Sequence, residues 1–207
     1  MQKSLAIYWQ QFLDPSFKDN ELFDKEIPVG EFVAINWILM MVKTLYVLVL
    51  TYLGAVAPKF FASLGASSTP TVMQMMNINI KRISIFITLL EVVFFPIAFY
   101  FLYKLWVAML SFFADVFEYE QEDIKKACRL VVKRSYAVNF LFLLPIIGGG
   151  LSILAQGLYL YLGMKGRLGF SNLQAILVLM VPLVILGCLA IFLLSYIFFI
   201  FSLMFAA

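Results

Sequence analysis

Residues 136–182 read YAVNFLFLLPIIGGGLSILAQGLYLYLGMKGRLGFSNLQAILVLMVP, and this stretch decides the fold class. Its first apolar run is interrupted by Pro145 and by the glycine triplet at 148–150. Its second run ends in a short basic loop at 165–167, and a third run opens at Ile176. Apolar runs of this length, separated only by short polar loops, are typical of membrane-spanning helices.

The composition extends this interpretation to the whole chain. Of its 207 residues, 64% are hydrophobic and 13% are charged, and the mean hydropathy is +0.99. Soluble domains carry roughly 25% charged residues. The sequence therefore predicts an integral membrane protein of the all-α class, a polytopic transmembrane helical bundle.

The residue inventory excludes several function classes. The chain has no histidine, which removes the commonest general base and metal ligand. Its two cysteines, Cys128 and Cys188, lie far apart and form neither a metal nor a redox motif. No basic face suggests nucleic-acid binding. We expect no enzyme activity, no catalytic residue, no cofactor and no metal.

Residues 1–31 form a separate N-terminal region. Apolar residues between Ser4 and Leu13 recur at helical spacing, which predicts a short amphipathic helix. Tyr8 and Trp9 suit the membrane interface, so we expect this helix to lie among the lipid headgroups. The following segment, 14–31, has six acidic and two basic residues and is predicted to be a solvated linker.

Residues 32–207 form the predicted transmembrane bundle. Its spans are expected at about 32–57, 83–110, 127–147, 150–166 and 175–205. Four spans result if 137–163 is one continuous helix instead of a hairpin that turns at the glycines. Charge favours five spans with a cytoplasmic N-terminus, because ten basic residues then lie inside and three outside, against eight and five for four spans.

Two ionisable residues interrupt the first two spans. Lys43 lies inside the first and Glu91 inside the second. Since an isolated charge at this depth is costly, we expect either a compensating Lys43–Glu91 pair, a Lys43 that snorkels beside a neutral Glu91, or a proton or ion path.

Small residues cluster around the predicted turn. The candidates for a tight turn or for close helix packing are Gly148, Gly149, Gly150, Ser152 and Ala155. Such residues let helix backbones approach closely, and we favour packing over a glycine-lined pore.

A charged helix is predicted before the third span. Acidic residues come first, and Lys125, Arg129 and Lys133 follow at intervals of four residues along one side. This basic stripe is either a cytoplasmic topology anchor or a surface for anionic lipids or a partner.

Short motifs in the last third of the chain resemble those of Yip1-domain membrane proteins of the bacterial type. The resemblance lies in Leu-Tyr-Leu-Gly at 160–163, a glycine-containing loop, and a step from Ser171 to Ala175. The segment 12–17, Phe-Leu-Asp-Pro-Ser-Phe, is similar to the start of these proteins. The chain departs from the family where Asn139 lies close to an expected proline.

The resemblance implies five spans and a membrane-organising or scaffold role without catalysis. Eukaryotic members of the family act with small GTPases of the Rab type, so it also implies a GTPase-type or membrane-protein partner besides the lipid bilayer. The expected location is the bacterial cytoplasmic (inner) membrane. The alternative function is a small transporter or channel that uses Lys43 and Glu91; an intramembrane enzyme has little support.

Overall fold

The computed structural model describes residues 1–14, 26–63, 72–117 and 123–206. The described chain forms α1 (Gln2–Leu13), α2 (Val29–Ser63), α3 (Val72–Val116), α4 (Ile124–Ser135), a 3-10 helix (Tyr136–Leu143), α5 (Gly148–Gly166) and α6 (Asn172–Ala206). All regular elements in these ranges are helical, which confirms the all-α class. Most of the predicted acidic linker, residues 15–25, lies outside the described residues.

Three helices are long and apolar enough to cross a membrane. Their candidate spans are Val29–Leu53, Ile85–Val116 and Asn172–Tyr196. At about 1.5 Å per residue, 25 residues cover roughly 36 Å, which exceeds a hydrocarbon core of about 30 Å. The chain is therefore a multi-pass membrane protein, with the first, second and last predicted spans in place.

The predicted third and fourth spans correspond to a hairpin. Its first arm is α4 followed by the 3-10 helix, its second arm is α5, and residues 144–147 join them. Neither arm is among the candidate spans, because α4 has only 12 residues, five of them basic, and α5 is made less apolar by its glycines, Gln156 and Lys165. These two spans stay predictions. The alternative of one continuous helix over 137–163 is wrong, since the turn interrupts it.

Helix α1 packs against α2, α4 and the 3-10 helix. Its polar residues Ser4, Tyr8 and Gln11 face the bundle, whereas Leu5, Trp9 and Leu13 are exposed. Tyr8 is fully buried against the bundle, so its side chain does not contact the lipid headgroups, and the interfacial depth of α1 stays a prediction. Trp9 is 43% exposed, and its interfacial position stays a prediction.

The packed core lies where α1, the beginning of α2, the second half of α3 and the hairpin meet. Aromatic rings fill it: Phe32 lies 5.2 Å from Phe99 and 5.4 Å from Tyr103, and Phe99 lies 4.8 Å from Tyr136, between ring centroids. Outside this core, few residues of the apolar helices are buried. In the most apolar 18-residue stretch of each of the candidate spans of α3 and α6, only 6% of the residues are buried.

The loop before α6 explains the motif at Ser171 and Ala175. Ser171 and Gln174 form a capping box, in which each side chain bonds the other residue's backbone N–H. Gly169 has a φ of 71°, which favours glycine. Ala175 is fully buried, so the first turn of α6 is fixed against the bundle.

Candidate functional site

Four polar side chains meet inside the apolar core, and we refer to Tyr8, Asn36, Asn139 and Ser152 as the polar network. The single proton of the Tyr8 hydroxyl is shared between two acceptors, Asn36 Oδ1 at 2.9 Å and the carbonyl oxygen of Tyr136. Asn139 Nδ2 donates to Asn36 Oδ1 over 2.7 Å, and Ser152 Oγ donates to Asn139 Oδ1 over 2.8 Å. The network thus joins α1, α2, the 3-10 helix and α5.

The polar network is sealed from solvent. Asn36 is 0% and Asn139 is 4% exposed, and the ring of Phe140 lies 5.5 Å from that of Tyr8. Asn36 Nδ2 donates to the carbonyl oxygen of Phe32 over 2.8 Å, so both polar atoms of this amide have partners. Burial raises the pKa of Tyr8 well above its ordinary value, which keeps its hydroxyl a neutral donor. Satisfied groups of this kind fix one arrangement of the helices.

Two adjacent cations at the end of α4 hold the N-terminal region, and we call Lys133 and Arg134 the basic clamp. Lys133 Nζ lies 2.8 Å from Glu26 Oε1 and donates to the carbonyl oxygen of Ile27 over 2.7 Å. Arg134 lies 3.6 Å from a carboxylate oxygen of Asp14 and donates to the Asp14 carbonyl. Both cations are 3% exposed, so they are structural partners of residues 14 and 26.

The basic clamp changes the interpretation of the predicted basic stripe. Lys125 is exposed and Arg129 is partly exposed with its Nε 3.9 Å from Glu26, but Lys133 is buried. The three residues therefore do not form the single exposed basic surface that the sequence predicted. Lys133 turns inward because Glu26 supplies its counterion, and the same contact lowers the pKa of Glu26.

Lys43 and Glu91 face different surroundings. Lys43 Nζ lies 5.0 Å from the centroid of the Phe142 ring, at the tip of the hairpin, whereas Glu91 is exposed on α3. A hydrogen bond of 2.9 Å from Trp37 Nε1 to the Val92 carbonyl aligns α2 with α3, which separates Lys43 and Glu91 by about 8 Å along the helix axes. The ion pairs of the described residues involve other side chains.

This separation leaves two intramembrane charges without mutual compensation. On insertion scales a charged residue at the centre of a spanning helix costs about 2.5–3.5 kcal/mol. Lys43 gains a cation–π contact with Phe142, worth about 0.5–2 kcal/mol. Glu91 gains no comparable contact from the described part of the chain. The predicted compensating pair is therefore not formed within this chain.

The glycine triplet contributes at one position above all. A Cβ added to Gly148 would lie 2.0 Å from the carbonyl oxygen of Leu141, which no side chain allows. At Gly149 the nearest atom is Lys43 Cε at 3.6 Å, and at Gly150 nothing lies within 4 Å. Close approach at the turn thus requires glycine at 148. Ala155 is partly buried against the core, and Ser152 serves as a hydrogen-bond donor in addition to its small size.

Tyr8, Asn36 and Asn139 are the site residues that the sequence interpretation missed. A usable signal was present, because Asn36 and Asn139 each interrupt an apolar run, VAINWIL and YAVNFLF. Buried polar residues in membrane helices commonly hydrogen-bond across helices. The identity of the partners could not be read from the sequence, since Asn36 and Asn139 are 103 residues apart.

Comparison with protein-family models, curated proteins and solved structures gives no match for this chain. In the described ranges, no group of three or more His, Cys, Asp or Glu residues is placed to hold a metal ion. The arrangement of the side chains is therefore the basis for proposing a function.

Proposed function

We propose that this protein is a membrane-organising scaffold that acts through protein or lipid partners. The observation that carries the proposal is the exposure of its spanning helices. The apolar windows of α3 and α6 are only 6% buried, and outward residues such as Phe94, Ile97 and Phe192 are between 58% and 73% exposed. Such faces offer long contact surfaces to lipids and to other membrane helices.

The interior of the protein supports the same function. The polar network and the basic clamp tie α1, α2 and the hairpin into one unit through internal hydrogen bonds and ion pairs. A packed core of this kind, combined with outer helices that are largely exposed, suits a protein that presents surfaces to partners. The Yip1-like resemblance and a GTPase-type or membrane-protein partner belong to this proposal.

The proposed location is the bacterial cytoplasmic membrane, with the N-terminus cytoplasmic. The ring centroids of Phe117, which follows α3, and Phe170, which precedes α6, lie 5.4 Å apart. The C-terminal end of α3 and the N-terminal end of α6 therefore lie at the same end of the molecule. We infer that the arms predicted as 127–147 and 150–166 insert from this cytoplasmic end. Exposed Lys125 and Lys165 are available there to anionic lipid headgroups.

The depth of the hairpin is part of the proposal. Leu144, Ile146 and Ile147 at its tip are 45%, 87% and 59% exposed and entirely apolar. Removing these apolar side chains from water is favourable. Several backbone N–H groups of the turn are also hydrogen-bonded within it, Leu144 to the Leu141 carbonyl, Ile147 to the Pro145 carbonyl and Gly148 to the Leu144 carbonyl, as a turn inside the membrane requires. We infer that the tip ends within the membrane near the level of Lys43, so that both ends of the hairpin stay cytoplasmic.

A small transporter or channel is the second candidate, and Lys43 favours it. This cation is partly exposed at the hairpin tip, deep in the bundle. The separation of Lys43 from Glu91 weighs against a path that uses both residues. Scaffold function therefore has the stronger support.

Purification in mild detergent, followed by reconstitution, separates the two candidates. We expect defined lipids or membrane proteins to co-purify. Proteoliposomes that contain only the purified protein should show no proton or ion flux above that of protein-free vesicles. Flux that disappears in both Lys43→Met and Glu91→Gln, but not in the exposed control Ile97→Gln, would replace the scaffold by a transporter.

A further inference from the structure

Glu91 lies on the outer face of α3. Its neighbours one helical turn away on this face, Ile87 and Phe94, are apolar, and each is 58% exposed. Glu91 itself is exposed. Trp37 of α2 hydrogen-bonds the Val92 carbonyl, so α2 packs against a different side of α3. The Glu91 carboxyl is thus directed away from the packed core.

The depth of Glu91 follows from the charges along α3. Arg82 and Lys104 are the basic positions that flank its apolar stretch, and 22 residues of helix between them cover about 33 Å, close to a hydrocarbon thickness of about 30 Å. Glu91 lies about 3 Å from the midpoint of this interval. It is therefore a carboxyl near the centre of the bilayer.

A carboxyl at this depth is expected to have a polar or charged partner. Lys43 is turned toward Phe142, and no hydrogen bond or ion pair of Glu91 occurs within the described residues. Acyl chains offer neither a hydrogen-bond donor nor a cation. The missing partner is to be sought on another membrane helix.

We propose that the outer face of α3 around Glu91 docks a partner transmembrane helix that carries a lysine or arginine at mid-membrane depth. This inference rests on the proposed scaffold function and names the chemistry of its partner. Charge complementarity selects the occupant, since a basic side chain removes its own desolvation cost and that of Glu91 in one contact. Exposed apolar residues on both sides provide the surrounding helix contact.

A second copy of this chain fits the same face less well. Copies related by an axis along the membrane normal bring residues of equal depth together, so Glu91 would meet Glu91 or the apolar residues beside it. Lys43 of such a copy would lie about 8 Å from Glu91 in depth and is turned toward its own Phe142, and the exposed cation Lys104 lies 13 residues away on α3, about 20 Å along the axis. A different chain with a central basic residue is therefore the expected occupant.

The test uses synthetic transmembrane peptides of leucine and alanine as probes. One peptide carries a single central lysine, which reaches the same depth in either orientation; a second carries leucine there, and a third carries lysine near one end. Labelled protein and peptide are mixed in phosphatidylcholine vesicles, and association is followed by energy transfer. We expect the central-lysine peptide to bind at least 10-fold more tightly than the other two.

Two variants make this result specific. Glu91→Gln should abolish the 10-fold preference and Ile97→Gln, at an exposed position on a different side of α3, should retain it, while both variants keep the wild-type melting temperature. Equal binding of all three peptides, or a preference that survives Glu91→Gln, would overturn the inference.

Energy transfer between two labelled copies of the protein, measured without peptide, tests the alternative that a second copy occupies this face. Self-association that is lost in Glu91→Gln would overturn the proposal in favour of a second copy. The scaffold proposal is tested separately, because partners found by cross-linking in native membranes would sustain it even if the lysine peptide does not bind.

Discussion

Two asparagine side chains hold the apolar helices of this protein in one arrangement. Asn36 accepts hydrogen bonds from Asn139 and Tyr8, and Asn139 accepts one from Ser152. Apolar contacts alone discriminate weakly between helix packings in a membrane, where lipid tails are as apolar as leucine. We therefore attribute the specific docking of α1 and the hairpin to this polar network.

Replacing Asn36 by leucine should destabilise the protein by about 1–3 kcal/mol, because Asn139 Nδ2 then remains buried without its acceptor. The free energy of unfolding in mixed detergent micelles measures this loss. Ser111→Ala is the matched control, since Ser111 Oγ bonds only the Ala108 carbonyl of its own helix. Equal stability of Asn36→Leu and Ser111→Ala would contradict a structural role for the network.

Gly148 and Gly150 allow a comparison within the same turn. Gly148→Ala should lower stability by about 1–3 kcal/mol, because its Cβ would overlap the Leu141 carbonyl. Gly150→Ala should be neutral or slightly stabilising, since open space surrounds that position and alanine favours helix. Melting temperatures of the two variants check this, and a larger loss for Gly150→Ala would refute the turn geometry.

Glu26 gives the basic clamp a pH dependence. Its pKa is lowered from 4.5 in the folded protein, mainly by the hydrogen bond from Lys133. A lowered folded pKa means that the pair contributes fully above about pH 4.5 and that its contribution is lost as the pH falls through the folded value. The effect is small, because Glu26 is 37% exposed.

The measurement is the melting temperature between pH 7 and pH 3.5 for the wild type and for Glu26→Gln. The wild type should lose more stability over this range, since the variant lacks the titrating carboxyl. Parallel curves for the two proteins would show that the Glu26 contact does not stabilise the fold.

At the scale of elements, the hairpin of α4, the 3-10 helix and α5 decides the topology. Its two ends lie at the end of the molecule that carries Phe117 and Phe170, and its tip is apolar. Ile146 at the tip has a φ of 70°, which is unusual for a β-branched residue and marks a sharp reversal. Such a reversal suits a hairpin that enters and leaves the membrane on one side.

Cysteine accessibility tests this topology in a background with Cys128→Ala and Cys188→Ala. Lys3→Cys and Lys165→Cys should react with a membrane-impermeant reagent only from the cytoplasmic side. Ile146→Cys should react from neither side, because its position lies in hydrocarbon. Reaction of Ile146→Cys from outside would instead mean that both arms cross, which gives five complete spans.

The sequence predicted the elements better than their contacts. Long apolar runs specify α2, α3 and α6, because the membrane demands about 20 predominantly apolar residues per crossing. The turn near the glycines was also predictable from Pro145 and the triplet. Burial of Lys133 was not, since its counterion Glu26 lies 107 residues away and periodicity shows only the residues of one helix.

Tyr8 illustrates the same limit. An aromatic residue on an N-terminal amphipathic helix normally indicates the membrane interface. Here its hydroxyl bonds Asn36 and the Tyr136 carbonyl, so Tyr8 turns inward together with Ser4 and Gln11. This burial depends on polar groups in distant segments, which a pattern within α1 does not reveal.

At the scale of the whole molecule, the protein combines a small packed core with large exposed apolar faces. The core concentrates at one end, where α1, the basic clamp and the hairpin meet, and α3 and α6 expose nearly all of their apolar windows. This distribution is the basis for the scaffold proposal. It predicts that partners contact the outer faces of these helices and not the core.

Photo-cross-linking in native membranes measures this directly. A benzophenone amino acid is placed at Phe94 on α3, at Phe192 on α6, or at Phe140 in the core, which are 58%, 73% and 9% exposed. We expect discrete protein cross-links from Phe94 or Phe192 and none from Phe140. Cross-links to lipid alone from both outer positions, together with solute flux in proteoliposomes, would contradict it.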